Sequence, residues 1–343
     1  MNAFYVPTKI YTGEAAFENL KQYPIHNLCI ICDPFVEKSG MVNKLLRVLD
    51  EMGAQYRIFS DITPDPNTEL VVQGLSRIVA HKPDAVLAMG GGSAIDAAKA
   101  ISYMYQKTTG AEKPLCIAVP TTSGTGSEAT SFAVITDAET HIKYPITDDK
   151  LLPNIAILDP TLVRSVPPAV TADTGMDVLT HAVESYVSPM SGTYAEALAE
   201  KAVRLVFSDL LTAYHSPDDT RARAHMHAAS NLAGFAFDYT SLGINHGIAH
   251  AVGGVFHIPH GRCNAVLLPH VIAYNAKNSQ FAFDRYTALS RMLELGAASD
   301  YQTLKNFCNA IHALMLKMNM PTTLRACGVS EAEFREHLPS IVE

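Results

Sequence analysis

The sequence predicts a chain in two parts: an N-terminal α/β domain built on a parallel sheet, then a C-terminal domain made of helices. Three observations predict it. In the first half, short apolar runs alternate with stretches of helical period, the pattern of strand–helix–strand units with right-handed crossovers. Two of the strands run directly into loops rich in glycine and hydroxyl side chains. After Asp159-Pro160 the β-branched runs thin out and long helical periodicities take over. The boundary is expected near Leu162, giving domains 1–161 and 162–343, a division that suits a chain of 343 residues.

Taken in order, Leu28-Cys29-Ile30-Ile31-Cys32 is a continuous apolar run, as expected for a strand covered on both faces. Cys29 and Cys32 form a C-x-x-C, but on a strand residues three apart point to opposite faces, so a structural reading outweighs a redox one. Helical spacing follows over 41–49, a strand over 56–59, a loop over 63–67 and a helix over 70–79. Ala85 to Met89 is the next strand. It enters Gly90-Gly91-Gly92-Ser93-Ala94-Ile95-Asp96-Ala97-Ala98-Lys99. Glycine lets a backbone approach a ligand closely, and Ser93 is placed to cap the following helix, with Asp96 at its third position. The free N–H groups of that helix suit a pyrophosphate. The usual G-x-G-x-x-G is absent, and a tight turn needing glycine for shape alone is the alternative. Leu115 to Val119 enters a second such loop, 120–128, and 133–136 and 155–158 read as further strands. Lys143, between them, can meet a ribose or phosphate or remain a solvated surface lysine.

In the second half helices are expected from Asp173 to Val187, through the Leu198–Leu210 stripe, from Arg221 to Ala236 and from Leu304 to Met318. The last of these, with Leu304, Phe307, Ile311, Leu314 and Met318 on one side, reads as core. The formal charge of −8 argues against a general nucleic-acid or anionic-membrane binder. No run of apolar residues reaches membrane-spanning length, and the N-terminus lacks the basic start and apolar stretch of a signal peptide. Six cysteines in a chain of this length do not make a disulfide framework. A reducing, cytoplasmic setting is expected.

The chemistry concentrates in 245–261, which holds four histidines. His246 and His250 are four apart and share a helix face, while His260 lies between Pro259 and Gly261, as in a turn. Asp177 and His181 make a second pair at the same spacing. Any one histidine on an apolar helix is ordinarily a hydrogen-bonded core residue. One carboxylate with two or three imidazoles, however, is the donor set a divalent transition metal takes.

The segments 90–99, 120–128, Gly175-Met176-Asp177-Val178-Leu179-Thr180-His181-Ala182 and 246–261 resemble, in order, the motifs of the iron-containing (group III) alcohol dehydrogenases, and the match runs from about residue 4 to 340. Within the family the chain is similar to the 1-propanol dehydrogenases of propanediol-utilisation microcompartments, on the cues Met1-Asn2, 62–66 and 187–189. The resemblance implies the dehydroquinate-synthase-like, iron-type alcohol dehydrogenase fold, with the site in the cleft between the domains. It implies Fe²⁺ held by Asp177, His181, His246 and His260, with Zn²⁺ as the other candidate because imidazole suits both. His250 is expected near substrate, relaying the alcohol proton, while His257 and His270 match no ligand position. On the cofactor side it implies Asp33, Asn67, Gly91, Gly92, Ser93, Asp96, Thr121, Thr122, Thr125, Val134, Lys143 and Leu162. Asp33 should receive the adenosine ribose hydroxyls and repel a 2′-phosphate, favouring NAD over NADP.

The implied activity is reversible hydride transfer between NAD(H) and a short-chain primary alcohol or aldehyde, with propionaldehyde and 1-propanol expected. A homodimer is implied, with a microcompartment shell or its enzymes as further partners and the compartment interior as a location. The alternatives are a zinc-dependent, glycerol-dehydrogenase-like polyol enzyme and a non-catalytic microcompartment-associated homologue. The family continues past its last helix to an Asn-Pro-Arg segment and a final helix, whereas this sequence stops at Ser340-Ile341-Val342-Glu343. A helical face of the second domain is therefore expected to lie uncovered.

Overall fold

The computed structural model describes residues 4–140 and 142–342; the cue Met1-Asn2 lies outside them. The chain divides into two compact units, Met1–Ser165 and Val166–Glu343.

The first unit carries a six-stranded sheet of β1 (Lys9–Thr12), β2 (Asn27–Cys32), β3 (Gln55–Phe59), β4 (Ala85–Gly90), β5 (Leu115–Pro120) and β8 (Ile155–Leu158). All pairings in it are parallel, in the order β1-β8-β5-β4-β2-β3. The helices between strands are α1 (Pro34–Lys38), α2 (Asn43–Met52), α3 (Thr68–His81) and α4 (Gly92–Thr109). The alternation of each strand decides its faces. Leu28, Ile30 and Cys32 pack with Leu87 and Met89 under Val48 and Leu49 of α2. Cys29 and Ile31 pack with Val86 and Ala88 on the other face, under Ile78 of α3 and Ala97 of α4. Cys29 and Cys32 thus belong to opposite layers, as strand geometry requires. Burial pushes their thiols up to about 11 and about 12.

Leaving the edge strand β1 aside, the sheet order is that of a doubly wound fold. The chain passes outward from β2 to β3, then returns across β2 to β4. The carboxyl ends of β2 and β4 therefore flank the point where the winding reverses, the place where open α/β sheets take their ligands. A separate antiparallel hairpin, β6 (Phe132–Thr136) with β7 (Lys143–Thr147), accounts for the expected strand at 133–136, which does not join the main sheet.

The second unit is helical throughout its named elements: α5 (Pro168–Val187), α6 (Thr193–His215), α7 (Thr220–Thr240), α8 (Ile244–Phe256), α9 (His260–Asn278), α10 (Gln280–Met292), α11 (Asp300–Lys317) and α12 (Glu331–Val342). α5 starts at Pro168, earlier than expected from the apolar pattern, because proline is well suited to the first helical position. It ends at Ser188, just before Pro189. Its core face meets α6, α7 and α9 through Met176, Leu179, Val206, Leu210, Met226 and Ala265. Gly175 permits the approach of α6, since a Cβ there would stand 2.2 Å from Leu210 Cδ1. No helix is long and apolar enough to cross a membrane among the described residues.

Candidate functional site

In the first unit the Gly loop and the Thr loop face each other. α4 begins at Gly92 with Gly91 as its N-cap and no side-chain cap. This corrects the expectation for Ser93, which lies inside the first turn: the extended backbone of Gly91 starts the helix two residues sooner. Asp96 is consequently not at the third position either. Its carboxylate turns away from the helix end, accepting from Ser127 Oγ at 2.5 Å and from Val134 N at 3.0 Å, and so ties α4 to the second loop and to β6. A Cβ at Gly92 would stand 2.8 Å from Thr125 Cγ2, and one at Gly91 3.4 Å from Thr122 Oγ1. Glycine thus lets the hydroxyl loop pack directly against the start of α4, bringing the uncapped N–H groups of that helix and the hydroxyls of Thr122 and Thr125 together as donors suited to an anion.

The other expected cofactor residues follow strand ends or lie in the attached hairpin. Asp33 closes β2, and its Oδ1 accepts from Phe35 N at 2.8 Å and Val36 N at 3.0 Å, capping α1. Its Oδ2 would lie 3.3 Å from a Cβ at Gly90, so β2 and β4 end side by side here. Asn67 caps α3 and bridges Thr136 of β6. Thr121 is buried directly after β5. Lys143 starts β7 and pairs with Asp65 at 2.6 Å on the surface. Leu162 is buried in the core beneath β8.

In the second unit three helices bring the carboxylate and the imidazoles together. Asp177 and His181, one turn apart, lie on the buried face of α5, and His246 is in the first turn of α8. Their donor atoms lie within 4.8 Å of one another. His260 is the first residue of α9, not part of a turn: the chain reverses at His257, which takes a left-handed conformation, and Pro259 caps the helix. Its Nε2 is 3.6 Å from Asp177 Oδ1, and His246 Nε2 is 3.7 Å from the same oxygen. Gly261 allows this: a Cβ there would stand 2.1 Å from the Asp173 carbonyl oxygen of α5. Arg262 adds a two-pronged ion pair to the Asp173 carboxylate, at 3.1 and 2.9 Å. His250 is exposed one turn along α8, its ring stacked 4.6 Å from that of His260. His270, like His257, stays apart on the surface.

Three residues that the spacing did not single out complete the arrangement. Glu184 Oε2 lies 2.6 Å from His246 Nδ1. Asn264 Nδ2 donates to Asp177 Oδ1 at 2.7 Å and lies 3.1 Å from His260 Nε2. Asn245 Nδ2 donates to Asn264 Oδ1 at 2.9 Å and fixes that amide. The signals were weak but present: Glu184 follows Asp177 and His181 at helical spacing, and Asn264 is one turn beyond His260.

The electrostatics fit a cation. Burial opposes ionisation of Asp177, yet the imidazoles of His181, His260 and His246 outweigh it and hold the carboxyl well below the usual range. Burial pushes His181 down to about 3, leaving it neutral. For His246 burial acts the same way, but Asp177 and Glu184 prevail and raise it to about 9. His181 Nδ1 and His246 Nε2 are buried without a hydrogen-bond partner. Buried polar atoms are rarely left so. A divalent ion among one carboxylate and neutral imidazoles satisfies both the geometry and these unmatched nitrogens.

Comparison with known proteins agrees with this chemistry. Residues 7–160 match the iron-containing alcohol dehydrogenase family, and residues 171–343 match the Fe-containing alcohol dehydrogenase family, C-terminal. The chain is 45% identical to the 1-propanol dehydrogenase PduQ of Citrobacter freundii, covering 100% of itself and 92% of that protein. It is 37% identical to an NADPH-dependent butanol dehydrogenase of Clostridium saccharobutylicum, covering 100% of itself and 91% of the relative. Among solved structures, a sulfoacetaldehyde reductase from Bifidobacterium kashiwanohense in complex with NAD⁺ superposes with a TM-score of 0.89 at 30% identity, covering 100% of this chain and 93% of that one. A fold of two such units, a buried acid-and-histidine cluster and full-length matches of this strength have one reading: the chain belongs to the iron-containing alcohol dehydrogenase family.

Proposed function

We propose that the protein is an NAD(H)-dependent, Fe²⁺-dependent dehydrogenase of short-chain primary alcohols, with 1-propanol and propionaldehyde as its substrate pair. The single observation that carries the metal part is the convergence of Asp177, His181 and His246 on one buried point, with two imidazole nitrogens unmatched there. His260, 3.6 Å from the same carboxylate, is the fourth ligand in this reading. The names of the relatives support the substrate, and the NAD⁺ complex of a structural relative supports the dinucleotide. Asp33 supports NAD over NADP, because its carboxylate repels a 2′-phosphate.

When bound, the ion supplies Lewis acidity at the substrate oxygen and the nicotinamide exchanges the hydride. The protein's own residues do the rest. One carboxylate and three neutral imidazoles leave a divalent ion a net positive charge. Phe237 and His246 both stack on the His181 ring, at 4.6 and 4.5 Å, and the His181 side chain is buried. His250, exposed beside His260, takes the alcohol proton toward solvent. Asn264 orients the Asp177 carboxylate. In the first unit, Gly91, Gly92, Ser93, Thr122 and Thr125 cradle the pyrophosphate. Asp96 holds their loops in register through Ser127 and Val134. Thr121, Asn67, Val134, Lys143 and Leu162 complete the cofactor set. A homodimer and association with a propanediol-utilisation microcompartment extend the same reading from the 1-propanol dehydrogenase resemblance.

The test is anaerobic. The metal-free chain is reconstituted with Fe²⁺ or Zn²⁺, and NADH oxidation is followed with propionaldehyde and with dihydroxyacetone. Propionaldehyde-dependent oxidation with Fe²⁺ is expected. Preference for dihydroxyacetone with Zn²⁺ would favour a polyol enzyme, and NADH binding with no turnover under either metal would favour a non-catalytic homologue.

A further inference from the structure

Glu184 lies two turns beyond Asp177 on α5 and is only 4% exposed. Its carboxylate is directed at the first turn of α8. Oε1 accepts from Asn245 N at 2.7 Å, and Oε2 lies 3.4 Å from His246 N and 2.6 Å from His246 Nδ1. α8 has no capping side chain of its own, since its N-cap is Gly243. A Cβ at Gly243 would stand 2.7 Å from Glu184 Oε1. A carboxylate borrowed from α5 therefore fills the capping position, and the helix starts with glycine to admit it.

We infer that Glu184 is a positioning residue that sets both the seat of α8 and the tautomer of His246, so that Nε2 presents a lone pair to the metal. An ionised carboxylate only accepts hydrogen bonds, so the imidazole must carry its proton on Nδ1. Nε2, the buried nitrogen left without a partner, is then the one facing Asp177. Outer carboxylates that hold a ligating histidine in this way typically change metal affinity by about 10- to 100-fold. The inference rests on the metal reading proposed above and adds a residue to it. It depends on which groups donate and which accept. A glutamine at 184 keeps an acceptor for the α8 amides but offers N–H to His246 Nδ1. The ring then has to accept there and protonate Nε2, the atom the ion requires.

The test uses the full chain, with Zn²⁺ affinity measured by competition against a chromophoric chelator, Co²⁺ absorption as a report on coordination, and the melting temperature of the metal-free protein. Glu184→Gln is expected to weaken Zn²⁺ binding by about 10- to 100-fold and to alter the Co²⁺ band, with a metal-free melting temperature close to that of the wild type. Gly243→Ala changes no hydrogen-bonding group but displaces the carboxylate, and should weaken Zn²⁺ in the same direction. Nitrogen NMR of histidine in the Zn²⁺-loaded wild type reads the tautomer without any substitution: a protonated Nδ1 and a coordinated Nε2 are expected at His246. Unchanged Zn²⁺ affinity in Glu184→Gln, or coordination through Nδ1, overturns the inference alone. A wild type that binds no stoichiometric Zn²⁺ overturns it together with the metal reading.

Discussion

The two units prepare their sites by opposite means. The two loops of the first unit proposed to take the dinucleotide rely on backbone and on missing side chains: Gly91 and Gly92 admit Thr122 and Thr125 at close range, α4 leaves its N–H groups uncapped, and the side chains around them are small. The cluster of the second unit relies on large polar side chains, nearly all buried and each held by a neighbour. A dinucleotide has many contact points, so its affinity is spread and single losses are partial. A metal has few ligands, so each is indispensable. The molecule is therefore brittle at the acid-and-histidine cluster and forgiving at the glycine loops.

The most severe test of that difference is Asp177→Asn. The amide keeps the shape and can still accept from Asn264, but it removes the only carboxylate among the four proposed ligands. Bound metal and turnover should both vanish in metal analysis and assay, while NADH binding by fluorescence titration stays intact. Loss of NADH binding as well would show that the two sites are not separate in this sense.

Next in size is the pH dependence of metal loading. His246 is held up to about 9, so near neutral pH the metal-free cluster carries a proton there that an entering ion has to displace. Zn²⁺ affinity should therefore rise with pH, by about tenfold per unit for one proton released, and level off above pH 9. A flat profile between pH 7 and 9 would remove His246 from the ligand set.

Gly92→Ala places a Cβ against Thr125 and pushes the hydroxyl loop away from the start of α4. Overpacking of this kind costs on the order of 1–2 kcal/mol, roughly tenfold in NADH dissociation constant. Metal content should not change. Unaltered NADH affinity would take the pyrophosphate away from this loop.

Asp33→Gly should shift preference toward NADPH by roughly fivefold in the ratio of kcat/KM values, since a carboxylate beside a phosphate costs about 1 kcal/mol in high dielectric. Loss of the α1 cap to glycine adds only a few tenths of a kcal/mol to instability. An unchanged ratio would free Asp33 of any contact with the ribose. Smallest of all, Lys143→Met breaks an exposed pair with Asp65 worth under about 1 kcal/mol. A raised KM for NADH would then show that Lys143 leaves Asp65 to meet the dinucleotide.

Much of this was legible in the amino-acid order because chemistry and period coincide there. Asp177, His181, His246 and His260 are chemically distinctive residues in helical or turn-forming settings, and the passages from strand into glycine-rich loop at 85–99 and 115–128 mark a parallel sheet. Less was legible where a residue acts through its neighbours. Glu184 and Asn264 are ordinary helix-surface types, and only the packing of α5, α8 and α9 turns them inward. Ser93 has the chemistry of a cap, but Gly91 has the backbone for it, and the backbone decides. β1 and β7 escaped notice because they are short and largely exposed, with no apolar alternation to betray them.

The distribution of sulfur has a practical side. Cys29, Cys32, Cys116 and Cys263 are all buried and unpaired, and burial holds each thiol above its ordinary range. Because Cys29 and Cys32 are on opposite sides of one strand, they cannot join without tearing the sheet. A thiol reagent added to the native protein will meet silence from these four, and their reaction will start only when a unit opens. The chain thus carries its own unfolding clock, with Cys29, Cys32 and Cys116 timing one half and Cys263 the other.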